Sequence, residues 1–100
     1  MNRHLVIRPE AEADITQAAI WYEDREPGLG HDLLFEIRTA IIRALTNPEA
    51  FTRLRERPRV HRILVRRFPY RLFYILNQDT LVVFAVLHLV RHDRHWMRRV

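Results

Sequence analysis

Tyr70-Arg71-Leu72-Phe73-Tyr74-Ile75-Leu76, the break Asn77-Gln78-Asp79, and Thr80-Leu81-Val82-Val83-Phe84-Ala85-Val86-Leu87-His88 form the stretch whose reading decides the fold. β-Branched and aromatic residues dominate both runs, and the polar break between them has the length of a tight hairpin. Leu72, Tyr74 and Leu76 oppose Phe73 and Ile75, while Leu81, Val83 and Ala85 oppose Val82, Phe84 and Val86. Strands that are apolar on both faces lie centrally in a sheet, with a covering layer on each side.

Working outward, Arg59 to Phe68 keeps the period of two and reads as a further strand, set off by Pro69. On it Arg62 and Arg66 share one face, and Arg59, His61 and Arg67 share the other. Such charge suits a nucleic-acid groove, and equally a solvated edge strand guarded against aggregation. Residues 47–58 read as a polar, proline-bounded loop. Before it the period changes to that of helices. Pro9 to about Asp24 carries the stripe Ala11, Ile15, Ala18, Ala19 and Tyr22, with Glu10, Glu12 and Asp14 near the positive end of the helix dipole. Leu29 to Thr46 carries Leu33, Ile37, Ile41, Ala44 and Leu45 and stops before Asn47-Pro48. Between them Glu26-Pro27-Gly28-Leu29-Gly30 reverses the chain. His4 to Arg8 reads as a short edge strand.

The expected fold is therefore α+β: an N-terminal strand, an antiparallel helical hairpin and a three-stranded antiparallel sheet, with the helices packed on one face. The second face lacks a helical layer and should meet a self-contact, a partner or a target. Trp21 and Tyr22 read first as anchors between helix and sheet, and second as a partner hot spot.

A chain of 100 residues with 48% hydrophobic content and two glycines suits one domain with a core of its own. It has no cysteine, so thiolate chemistry and disulfides are excluded, which suits a cytoplasmic setting. The longest apolar run, Leu81 to Leu87, is too short to span a bilayer, and no membrane partner is expected. Basic residues outnumber acidic ones 17 to 12, giving +5, and every one of them is arginine. That balance calls for an acidic partner and suits bidentate grip on phosphate or carboxylate, although a GC-rich genome also writes arginine for lysine.

Three local words carry a family resemblance: Ala18-Ala19-Ile20-Trp21-Tyr22, Arg67-Phe68-Pro69-Tyr70-Arg71, and Val86-Leu87-His88 followed by Arg91, with Asp93 and Trp96 beyond. In this order, over nearly the whole chain, they resemble the RelE/ParE superfamily of type II toxins, especially its ParE-like plasmid-stabilisation branch. The resemblance implies a cytosolic toxin held in a hetero-oligomer by a cognate acidic antitoxin. It also implies a target, either DNA gyrase or ribosome-bound messenger RNA, and does not choose between them.

For gyrase, inhibition by binding needs no catalytic group. A metal-free ribonuclease would need arginines and a tuned acid or base, for which Arg62, Arg71, His88 and Arg91 are the candidates. His88 is the best single acid or base, although a histidine at a strand end is commonly structural. The wider set expected to contact target or antitoxin is Arg62, Arg66, Arg67, Arg71, His88, Arg91 and Trp96. His88, His92 and His95 suit no metal, because their spacing fits one helix face and His88 ends a strand. No phosphate-binding glycine loop occurs, and no cofactor is expected. A third reading, resting on charge alone, is a non-toxic nucleic-acid-binding domain.

Overall fold

A computed structural model describes residues 3–91 and 93–100. The chain runs β1 (His4–Ile7), α1 (Pro9–Arg25), α2 (Leu29–Thr46), a 3₁₀ turn (Pro48–Ala50), β2 (Thr52–Arg53), β3 (Val60–Leu64), β4 (Tyr70–Asn77), β5 (Thr80–His88) and α3 (Arg94–Met97). All five strands form one sheet in the order β1-β5-β4-β3-β2. The architecture is the expected α+β, with one strand more than the sequence suggested. That strand, β2, lies within the stretch read as loop and pairs Thr52 with Arg62 and Arg53 with His61. Two residues are too short for any periodicity to register. β1 joins the sheet in parallel beside β5, and the other pairings are antiparallel.

The helical hairpin covers one face. Ala11 and Ala18 of α1 and Leu33, Ile37, Ala40, Ile41 and Ala44 of α2 pack on Ile63, Leu72, Tyr74, Leu81, Val83 and Val86. The two helices approach closely at Gly30, where an added Cβ would stand 2.6 Å from the Ala19 carbonyl oxygen. Glu23 accepts hydrogen bonds from the backbone N–H groups of Gly28 and Gly30, both at 2.9 Å, and so ties the end of α1 to the start of α2. These bonds hold its carboxyl below the usual range. Gly30→Ala should therefore lose about 1–3 kcal/mol of stability, because the clash is with backbone that cannot swing aside. A urea titration checks this; an unchanged midpoint would mean that the hairpin can open without cost.

The alternation read for the last strand changes partway. Leu81 and Val83 face the helices and Val82 faces away, but Val86, not Ala85, faces the helices next. The cause is a β-bulge: Tyr74 pairs with Val83 and Phe73 with Ala85, leaving Phe84 as the extra residue.

Of the possible covers for the second face, the chain itself supplies one. Val60, Phe73, Ile75, Val82, Phe84, Ala85 and Leu87 form a second core cluster closed by Trp96 of α3, with Leu54 and Met97 at its margin. No helix among the described residues is long and apolar enough to cross a membrane.

Candidate functional site

Where α1 passes over the end of β5 and the start of β4, a cleft of about 290 Å³ opens, lined by Asp14, Gln17, Ala18, Trp21, Tyr22, Tyr70, Val86, Leu87, His88 and Arg91. The bulge creates its geometry, since it sets Tyr70 opposite His88 across the β4–β5 ladder. Their rings meet edge to face at 5.2 Å, and Tyr22 continues the aromatic wall to Tyr70 at 6.2 Å and to Phe68 at 5.0 Å.

The polar groups of the cleft are mostly donors. The backbone N–H of Val90 donates to His88 Nδ1 at 3.2 Å, so the neutral ring carries its proton on Nε2. Burial and the neighbouring Tyr22 push the Tyr70 hydroxyl above its ordinary pKa, with Arg91 opposing, so the phenol stays protonated. Arg91 is exposed at the rim, its Nη2 lying 3.4 Å from His95 Nδ1. Asp14 is the acidic exception, and its carboxylate is already engaged. It accepts from the Val86 N–H at 3.0 Å and from Arg99 Nη1 at 2.6 Å and Nη2 at 3.3 Å. β1 covers β5 only as far as Val83, and Asp14 with Arg99 satisfies the open edge beyond it; Arg99 also donates to the Phe84 carbonyl.

Of the residues singled out in the sequence, the structure brings His88 and Arg91 together in this cleft and disperses the rest. Arg71 is not an available contact group. Its side chain is 11% exposed and clamps the C-terminal segment, donating to Asp93 Oδ1 at 3.1 Å and to the Arg91 carbonyl at 2.9 Å. Trp96, expected at a contact surface, is 1% exposed and stacks on Phe73 at 5.2 Å. Trp21 errs the other way: read first as an anchor, it is 51% exposed, with the Arg25 guanidinium 3.6 Å over its ring.

Arg67 lies in the β3–β4 connection with φ of 70° and reaches Asp32 at 3.5 Å and Glu36 at 3.9 Å on α2. Arg66 is exposed in the same connection, so neither residue belongs to a strand, because β3 ends at Leu64. Arg62 stands in β3 in register with Phe73 and Thr52, apart from His88. His61, on the helix-facing side, is buried against Tyr74, with its Nδ1 3.1 Å from the Phe51 carbonyl. His92 lies outside the described residues. Among the described residues no group of three His, Cys, Asp or Glu side chains is placed to hold a metal ion.

Tyr70 and Asp14 were missed as cleft residues. Tyr70 is legible as the first residue of the central hairpin, but its place opposite His88 depends on the bulge, and Asp14 reads as an ordinary first-turn acid until the fold brings it to β5.

The fold has counterparts among solved structures. A chain of the chromosomal ParDE toxin–antitoxin system from P. aeruginosa superposes with a TM-score of 0.72 at 16% identity, covering 86% of this chain and 95% of that one. The isolated E. coli RelE toxin gives 0.67 at 20% identity, covering 97% of this chain and 95% of that one. A chain of the intact E. coli RelBE toxin–antitoxin complex gives 0.68 at 21%, covering 90% and 100%. No curated protein matches the sequence. The family model described as the ParE toxin of the type II toxin–antitoxin system parDE matches residues 5–93. With nearly the whole chain inside that match, this protein belongs to the ParE toxin family of type II toxin–antitoxin systems.

Proposed function

We propose that this toxin acts by binding, that DNA gyrase is its target, and that a cognate acidic antitoxin silences it in the cytoplasm as part of a hetero-oligomer. The observation that carries the binding mode is the state of the cleft. It offers Tyr70 O–H, His88 Nε2–H and the Arg91 guanidinium as donors, while its possible proton acceptors, Asp14 and His88 Nδ1, are already hydrogen-bonded. Such a site holds an anionic or acceptor group well and lacks a poised base. Purified toxin should inhibit gyrase supercoiling or trap cleaved DNA, and normal gyrase activity at saturating toxin rejects the assignment.

The antitoxin surface follows from exposed apolar side chains on the hairpin. Ile20 and Trp21 on α1 and Leu34, Phe35 and Ile42 on α2 are each 41–65% exposed, next to exposed Arg25 and Arg38. An acidic, partly apolar segment suits that mixture. The outer side of the hairpin is the surface it would cover, since the second sheet face is closed by Trp96.

A second reading, a ribosome-dependent messenger endoribonuclease, is favoured by the same donor set, which suits a phosphate. Its mark is messenger cleavage during translation that disappears in His88→Ala.

A further inference from the structure

The hairpin joining β2 to β3 lies at the sheet edge opposite β1 and at the end of β4 opposite the cleft, since Val60 pairs with Ile75 while Tyr70 pairs with His88. Its sequence, Arg53-Leu54-Arg55-Glu56-Arg57-Pro58-Arg59, puts four arginines into seven residues, and all but Leu54 are exposed. Its backbone is hydrogen-bonded to itself. The Leu54 N–H donates to the Val60 carbonyl at 3.0 Å, Arg57 N–H to Leu54 at 3.2 Å and Val60 N–H to Arg57 at 2.8 Å, and the Leu54 side chain packs on the second core cluster.

Arg53 is engaged with Glu49 at 2.8 Å and with the Pro58 carbonyl at 3.2 Å. The side chains of Arg55, Arg57 and Arg59 make no hydrogen bond or ion pair with any described residue. Protection of the sheet edge accounts for Arg53, which lies in β2. It does not account for the other three, which lie in the loop beyond the last ladder pair, Arg53 with His61. Three unpaired guanidinium groups on a hydrogen-bonded loop are an anion-binding surface.

The chemistry of the surroundings selects the anion. No large apolar side chain is exposed between Thr52 and Arg59, so the hairpin lacks the anchors on which protein interfaces depend. It carries no aromatic ring on which an unpaired base would stack, which disfavours single strands. What remains is the phosphate backbone of a double helix, where guanidinium–phosphate contact supplies the affinity. The turn that joins β2 to β3 at the sheet edge is no wider than a two-stranded β-ribbon, a shape that the major groove of B-form DNA admits and the deep, narrow groove of A-form RNA does not.

We infer that the hairpin Arg53–Arg59 is a duplex-DNA contact, separate from the cleft, with Arg55, Arg57 and Arg59 engaging backbone phosphates. This inference is independent of which enzyme the toxin stops, because it concerns DNA alone.

The test is fluorescence anisotropy of a labelled mixed-sequence DNA duplex, titrated with the full chain at several salt concentrations in the absence of gyrase. Binding should be about micromolar at low salt, and Arg55→Gln/Arg57→Gln/Arg59→Gln should lower the slope of log affinity against log salt by about 2–3. The charge-matched control Arg25→Gln/Arg38→Gln/Arg98→Gln should leave most of that slope in place. A thermal melt of each variant establishes that the fold survives. Absence of duplex binding by the parent chain, equal losses in the two triple variants, or tighter binding to an RNA duplex would overturn the inference. Loss of DNA binding with gyrase inhibition retained, or the reverse, separates this surface from the proposed gyrase assignment.

Discussion

Trp96→Ala is expected to remove about 3–5 kcal/mol of folding stability, the usual loss for deleting a large buried aromatic side chain. The total stability of a domain this size is only about 5–15 kcal/mol, so much of the population should unfold near physiological temperature. The reason is local. α3 spans only Arg94–Met97, too short to persist by its own hydrogen bonds. It is held by the Trp96 ring stacked on Phe73, by the Arg71 clamp on the Arg91 carbonyl and Asp93, and by Arg99 on Asp14. Without the indole, Phe73, Phe84 and Leu87 face a void or water. Trp96→Phe should recover a large part of the loss, since it keeps the stacked ring. Urea unfolding followed by circular dichroism distinguishes the variants, and a loss below about 1 kcal/mol for Trp96→Ala would mean that the ring is not a core element. With the expected loss of stability, a fall in toxicity of Trp96→Ala is a folding effect and no sign of target contact.

The two tryptophans show how far the sequence could be read. The α1 stripe Ala11, Ile15, Ala18, Tyr22 is spaced by three and four residues, and Trp21 stands one residue, about 100° of helix, away from it. Exposure of Trp21 follows from that offset, but a large apolar residue beside a core stripe reads easily as core. Trp96 has the opposite problem. It sits among Asp93, Arg94, His95 and Arg98 with no apolar periodicity around it, so nothing local signals burial. Its environment comes from a sheet face left open by the helices, which the apolar runs of β4 and β5 announced without naming the cover.

The bulge at Phe84 was illegible for a related reason. In a run as uniformly apolar as Leu81–Leu87, hydrophobicity does not mark where the parity changes. A uniform register from the Asn77–Thr80 pair would set Leu87 opposite Tyr70, and the extra residue replaces it with His88. The cleft thus depends on an irregularity that the hydrophobic pattern conceals. The helices, the central hairpin and the order of elements were readable because amphipathic spacing and turn residues agree there.

Trp21→Ala and Arg91→Glu should each keep the fold and weaken the toxin's binding. Trp21 is half-exposed, meets Tyr22 edge to face at 4.9 Å and lies under Arg25, so its removal opens no cavity and should change stability by about 1 kcal/mol or less. At Arg91 the backbone carbonyl, not the side chain, is gripped by Arg71, so reversing the side-chain charge leaves the C-terminal clamp in place. In a complex the effects differ. A tryptophan at the wall of a donor-lined cleft has the character of a binding hot spot, whose truncation costs about 2 kcal/mol or more, roughly a 30-fold loss of affinity. Arg91→Glu replaces an attractive charge with a repulsive one toward an acidic group and should cost at least as much, with the loss largest at low salt. Paired thermal melts and growth assays on induction without antitoxin measure the two halves of this expectation. Titration against purified gyrase and antitoxin then assigns the lost contact to one partner or both. Variants that melt like the parent, stop growth like the parent and bind both partners normally would show that the cleft faces only solvent. Loss of antitoxin affinity with toxicity intact would instead place the silencing contact in the cleft and the target contact elsewhere on the toxin.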